Sequence, residues 1–494
     1  MTIFLRIPTE QHDPPPHLEL RLRNVQAWLE SLPMARAVTA GEEVLVNLGL
    51  LNRSKVPSAT RLSLTEAYRP VVEVLLDELE AEVHQPGFPQ PESAARALRV
   101  HQLLATELGC AYKLLITDLA NRLISFGLRR QLPPLAYRAM SAETRVLRAA
   151  WVNYSAAPVG TWQEIHRLYA IAERTEVTTA PVDAGQSLQD LYLECLLAAL
   201  VDPYQLPHRD FGLVPALLQR HRGAAALLAQ MPAAPGPTHF LVDLDQDSRP
   251  IHLSLVSAGA GNARLLDTSA LVTRLRGHHR ALLAGQVPPG MSPHDLDQQA
   301  SLLERLIVAW GEHTGRFDER DAAPLTAAVR VGLEEIRASL GATPPVATPG
   351  WEVVNQSASG LRLAFSGRDL PRLVTVGEVL AVRLGPDGGK PVGIVRWIKR
   401  AAAGPWECGL QLLAPSGSPV SLLSVNAKGE QTQSGALLLE RESALAPPTL
   451  LAPRGTHADS REYALCHPGE TLRVRAGPLL EQNRSVELFE ATPA

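Results

Sequence analysis

Between about Val38 and Gln230, apolar residues recur three and four positions apart, the period of a helix with one buried face. Tyr68, Val71, Val72, Leu75, Leu76 and Leu79 make one such stripe, and Leu103, Leu104, Leu108, Tyr112, Leu115 and Leu119 make a second. Clusters at Pro86–Pro91, Pro133-Pro134, Pro158–Gly160, Ala180–Gly185 and Pro203–Pro207 predict breaks, because proline lacks the amide hydrogen a helix interior needs. The resulting helices, including 137–155, 161–177, 187–201 and 211–230, read as consecutive hairpins without a fixed repeat. Upstream, LELRLRNVQAWLESLP predicts a short strand and then a helix.

After a linker at Ala233–Pro237, THFLVDL and PIHLSLV alternate as strands about the turn DQDSR, and helical patterns return over 269–284 and 294–313. From about Ala327 the period changes to two. Val329, Val331 and Leu333, then Leu361, Leu363 and Phe365, then Leu380, Val382 and Leu384, then Val392 and Ile394 alternate with polar residues. Gly and Pro turns punctuate them, which predicts a small antiparallel barrel. Short strand patterns continue at 418–424, 434–440, 470–475 and 484–490. The expected architecture is multidomain α+β: helical hairpins over 1–235, a linker with a β hairpin and two helices over 236–313, a six-stranded antiparallel barrel over 314–414 and a β-rich extension over 415–494.

A length of 494 residues supports two to four domains, and 45% hydrophobic with 20% charged residues is a globular composition. A net charge of −4 argues against a general nucleic-acid binder. Cys110, Cys195, Cys408 and Cys466 are too far apart for zinc spacing, so reduced, buried thiols are expected. The N-terminal apolar run is too short for a signal peptide, and the longest apolar stretch, LYLECLLAALV, contains Glu194. These features predict a cytoplasmic protein without membrane insertion. No GxSxG, Walker, HExxH or dinucleotide fingerprint is found, which leaves an enzyme without a motif.

Asp243, Asp245 and Asp247 begin like a calcium loop, but Ser248 and Ser254 stand where glycine and glutamate are needed, so a solvated turn is expected. His278-His279 reads as exposed helix surface. The sharper signal is Asn355-Gln-Ser357-Ala-Ser-Gly360, which sits between two strand patterns and is expected by chance about 0.1 times in such a chain. Arg316 and Arg320 precede it. Forty-two of the 47 basic residues are Arg, so Arg-x-x-x-Arg recurs at Arg276/Arg280, Arg368/Arg372 and Arg396/Arg400, and position alone selects the first-named pair. Asn, Ser and Gly in a row also suit a plain capped turn, and Arg316 and Arg320 have Asp318, Glu319 and Asp321 beside them as partners.

Taken in order, Arg316/Arg320, Asn355/Ser357/Gly360, Gly377-Glu-Val-Leu, Val395-Arg-Trp397 and Gly409-Leu-Gln-Leu resemble the PilZ domain family of bacterial cyclic di-GMP receptors over about 314–414. The 34 residues between Arg320 and Asn355 imply an extended hairpin near Gly341–Gly350. The resemblance implies a non-enzymatic effector that needs no cofactor or metal. It would bind cyclic di-GMP through Arg316, Arg320, Asn355, Ser357 and Gly360 and pass the signal to an unidentified protein through its helical region. The alternative it leaves open is a barrel without ligand, acting as an adaptor in a motility, pilus or surface-associated machinery.

The chemistry suits the ligand. Guanidinium offers a planar fork to phosphate and to guanine O6 and N7, and it stacks on purines. Asn355 and Ser357 are short donors and acceptors, and Gly360 removes a Cβ from the path of a ligand. Residues 314–414 carry a net +2 within a chain of −4.

Overall fold

The computed structural model describes the chain except residues 1–3, 9–10, 122–124, 183–184, 232–235, 257–260, 290, 292–293, 295, 312–320, 341–349, 385–388, 402–403, 426–430, 441–446 and 468. It divides into two units. The first comprises Met1–Gln85 and Gln90–Gly315, the second Pro86–Pro89 and Arg316–Ala494.

In the first unit α1 (Leu22–Glu30), α2 (Ala37–Asn52), α3 (Ser58–Val83), α4 (Glu92–Asn121), α5 (Ser125–Val152), α6 (Thr161–Arg174), α7 (Leu188–Leu200) and α8 (Val214–His221) follow one another. Between α3 and α4 the chain forms β1 (Gly87–Phe88), a strand of the second unit. The α3 stripe is buried as its period predicts, apart from half-buried Val71, and so is the α4 stripe, except that Leu119 is half-buried and Leu103 exposed. No strand precedes α1 among the described residues.

The proline rule fails twice. Helix α5 runs through Pro133-Pro134 and α3 through Pro70. Leu132, Leu135, Ala136 and Ala139 are buried around the proline pair, so core packing offsets the lost hydrogen bonds, at about 3 kcal/mol or more each.

The span predicted as one helix to residue 230 instead ends in β2 (Ala226–Leu228). This strand joins β3 (His239–Asp243), β4 (Ile251–His252) and β5 (Ala263–Asp267) in a sheet of order β2-β5-β3-β4. Then come α9 (Ser269–Leu283) and α10 (Leu296–Ala309); their Leu271, Leu302 and Leu303, with Trp310 just after α10, lie in the same core as α3 and α4. The Asp243–Asp247 turn is more than solvated surface. Asp247 accepts from the Gly160 and Gln163 amides at 2.6 and 3.1 Å, capping α6. His278 is likewise not exposed: it is half-buried, with its ring 5.2 Å from that of His221. Among the described residues, no group of three or more potential ligands could hold a metal ion.

In the second unit β6 (Asp321–Val331), β7 (Trp351–Ser357), β8 (Gly360–Phe365), β10 (Val379–Leu384), β11 (Val392–Arg400) and β12 (Trp406–Ala414) close a six-stranded antiparallel barrel, with β9 (Val374–Thr375) beside it paired to β1. Strand β6 begins before the alternation at Ala327. Its register shifts between Ala322 and Leu325, where Pro324 has no hydrogen to give the ladder. After Val331, Gly332 turns at φ +90° into α11 (Leu333–Leu340). Leu333 therefore belongs to a helix rather than to the strand. The spacer before Asn355 is partly that helix, and the hairpin expected near 341–349 lies outside the described residues.

Strands β13 (Gly417–Val425), β14 (Gln431–Leu439), β15 (Thr449–Pro453), β16 (Glu462–His467), β17 (Glu470–Gln482) and β18 (Val486–Pro493) close a second six-stranded barrel. The two barrels share a core: Leu333 and Ile336 of α11 with Val379, Val392 and Ile394 of the first, and Leu437, Leu451 and Val486 of the second. Arg337 of α11 lies across Gly435, where a Cβ would meet its guanidinium at 1.7 Å.

Candidate functional site

The Asn355–Gly360 motif is a hairpin. Ser357 pairs with Gly360 across a turn at 358–359, at one end of the first barrel. The alternation that closes the barrel sorts its residues. Val353, Leu363, Cys408 and Ile398 are register partners across β7, β8, β12 and β11, all pointing inward and all buried. Burial pushes the Cys408 thiol far above its ordinary range and leaves it unreactive.

The next row faces outward: Asn355, Arg362, Gly409 and Trp397 are successive partners on β7, β8, β12 and β11, and Asn355 pairs with Ala322 of β6. Asn355, Arg362 and Trp397 are half-buried. The Trp397 indole lies on the Gly409 backbone, where a Cβ would come within 1.8 Å of its Nε1. The row is thus a shallow outer surface with an amide at one end and an indole at the other.

Asn355 is half-buried, and its side chain makes no hydrogen bond among the described residues. Ser357 Oγ reaches the Gly360 carbonyl only at 3.5 Å, too long to commit it. Both are available to a ligand. Gly360 has a structural reason as well, since a Cβ there would stand 2.9 Å from the Leu410 carbonyl on the neighbouring strand. Arg316 and Arg320 lie outside the described residues. Asp321, the residue after Arg320, opens β6 opposite Gln356, and Ala322 stands opposite Asn355.

Two arginines that the sequence reading left aside border this surface. Arg362 donates to both Glu407 carboxylate oxygens at 2.8 and 2.7 Å. It stands two residues past Gly360 on the same strand face, a spacing that was open to notice. Arg396 donates through Nε to Gln411 Oε1 at 2.7 Å, and Gln411 is the register partner of Gly360. Two other Arg-x-x-x-Arg members are engaged elsewhere. Arg372 pairs with buried Glu378 at 3.3 Å, and Arg400 lies over the Trp406 ring. Burial lifts the Glu378 carboxyl above its usual value despite that pairing.

At the opposite end of the barrel Trp351, Phe365 and Trp406 meet, and Phe88 fills the space between them at ring distances of 5.9, 5.9 and 5.3 Å. Gly87 lets β1 approach so closely, since its Cβ would sit 2.0 Å from the Val374 carbonyl. The motif hairpin lies at the other end.

Residues 342–419 match the family model described as the middle PilZ domain of the cyclic-di-GMP receptor FimW. The first barrel is a PilZ domain. Residues 23–233 match the model for the N-terminal domain of the same receptor. The chain is 23% identical to the cyclic-di-GMP receptor FimW of Pseudomonas aeruginosa, over 96% of this chain and 90% of that protein. No solved structure matches it. Ahead of the PilZ barrel, no described helix is long and apolar enough to cross a membrane.

Proposed function

We propose that this chain is a cyclic di-GMP receptor that binds the dinucleotide on the outer face of its PilZ barrel, at the motif hairpin. The observation that carries the reading is the Asn355 amide and Ser357 hydroxyl, uncommitted among the described residues, at the hairpin end of the barrel beside the strand that follows Arg320. In this reading Asn355 and Ser357 meet a guanine edge, and Gly360 keeps the strand flat beneath it. Arg316 and Arg320 hold the phosphates from the chain entering β6. Trp397 and Arg362 supply stacking surface and positive charge on the same face.

The protein is a non-enzymatic, cytoplasmic effector that signals through protein contacts of its helical unit. The similarity of residues 23–233 to the N-terminal domain of a cyclic-di-GMP receptor supports a helical region that belongs with a receptor barrel.

Calorimetry with the full-length protein tests the binding. Cyclic di-GMP is expected to bind with micromolar or better affinity, about −8 kcal/mol, and GTP not at all. No heat with ligand at a concentration near 100 µM, about −5.5 kcal/mol, overturns the proposal.

A further inference from the structure

Arg396 and Glu481 form the ion pair that joins the two barrels among the described residues. Both Glu481 oxygens accept from Arg396, at 2.6 Å each. Each partner sits where the strand register shifts, Arg396 between Val395 and Trp397 on β11, and Glu481 after Leu479 on β17. Such bulges turn a side chain out of its regular direction, and here both are turned toward each other.

The third arm of the guanidinium, Nε, reaches Gln411 Oε1 at 2.7 Å, and Gln411 is the register partner of Gly360. Arg396 thus spans from the neighbour of the motif hairpin to the second barrel. Its side chain is 30% exposed and that of Glu481 25%, so solvent and solutes reach the pair and its strength is modest. Arg362 has its carboxylate partner on its own barrel, and Arg400 lies at the far end beside Trp406.

We propose that Glu481 is a positioning residue for the cyclic di-GMP site: it holds Arg396 beside the motif hairpin and gives it up to a ligand phosphate. This rests on the proposed function of the preceding section. A phosphodiester offers the same two-oxygen face to the guanidinium fork as a carboxylate does, so the two compete for one partner. Ligand binding then loosens this ion pair between the barrels, and the second barrel responds to the occupancy of the first.

The test is calorimetric titration of the full-length protein with cyclic di-GMP at fixed ionic strength, for wild type, Glu481→Gln, Arg396→Gln and the double variant. Loss of a charge-assisted contact in Arg396→Gln should weaken binding about tenfold or more. Removing the competing carboxylate in Glu481→Gln should tighten it about threefold, the scale of a partly exposed pair. Glu481→Asp, which keeps the charge on a shorter arm, should fall between wild type and Glu481→Gln. In the Arg396→Gln background the Glu481 change should have no further effect.

Unchanged or weaker binding by Glu481→Gln, while wild type binds, overturns the inference. So does a tightening that persists without Arg396, since that reports only the removal of negative charge. Failure of wild type to bind overturns the proposed function itself, and this inference with it.

Discussion

The Phe88 ring lies parallel to that of Trp406, with centroids 5.3 Å apart and planes 6° from coplanar, although one residue stands between α3 and α4 and the other opens β12. Phe88 is fully buried, and its strand β1 pairs with β9. The barrel core is therefore incomplete without residues 86–89. Phe88→Ala should cost about 3–5 kcal/mol in that unit. Hydrogen exchange by mass spectrometry should show faster exchange across β7, β8 and β12. A fragment beginning near residue 310 should show the same weakening, and equal protection in fragment and full chain would contradict this.

Within the ligand site, the arginine pairs should separate. Arg316→Ala or Arg320→Ala should each weaken cyclic di-GMP binding by about 1.5–3 kcal/mol, as charge-assisted contacts do. Asn355→Ala and Ser357→Ala should cost about 0.5–1.5 kcal/mol each, the scale of neutral hydrogen bonds. Arg276→Ala and Arg280→Ala, on α9 of the other unit, should stay within about 0.5 kcal/mol. Calorimetry on each variant ranks them, and sensitivity at Arg276 rather than Arg316 would move the site.

Gly409 bears on fold and site together. An alanine Cβ there would enter the Trp397 indole, so Gly409→Ala must lift the ring from the sheet. The expected loss is about 1–3 kcal/mol of stability, from denaturant unfolding, with a shift in tryptophan emission. Ligand affinity should fall as well. An unchanged emission spectrum would show that the ring does not rest on Gly409.

The helical unit should lose stability in mild acid. His101 is fully buried on α4, neither ring nitrogen has a partner, and burial with Arg145 and Arg148 nearby holds its pKa down to about 3. Below about pH 6.5 the unfolded chain takes up a proton that the folded state refuses until about pH 3. The stability tied to this group is present above pH 6.5 and is lost as pH falls toward 3, by about 2 kcal/mol at pH 5. Denaturant unfolding at pH 7 and pH 5 measures this, and His101→Leu should flatten the dependence. A pH dependence unaltered in that variant would assign the loss to other groups.

Part of this molecule is legible along the chain because its cause is local. The stripes of α3 and α4, the change of period near residue 327 and the Ser357–Gly360 hairpin each follow from a few neighbouring residues and the geometry of helix or strand. The ordered motifs also had geometric reasons that could be anticipated: Gly377 turns at φ +89° before β10, and Gly409 makes room for Trp397.

What the tertiary structure alone decided depends on residues far apart in sequence. Pro133-Pro134 reads as a break, yet burial around it keeps α5 continuous. The strand patterns after residue 415 do not reveal a closed barrel, because closure depends on β13 meeting β16 and on β15 meeting β18. Phe88 looks like a loop residue between helices until β1 meets β9, and Arg396 looks like one arginine among forty-two until a bulge on each barrel brings Glu481 to it. Periodicity records which face of an element is apolar, and only packing determines what that face meets.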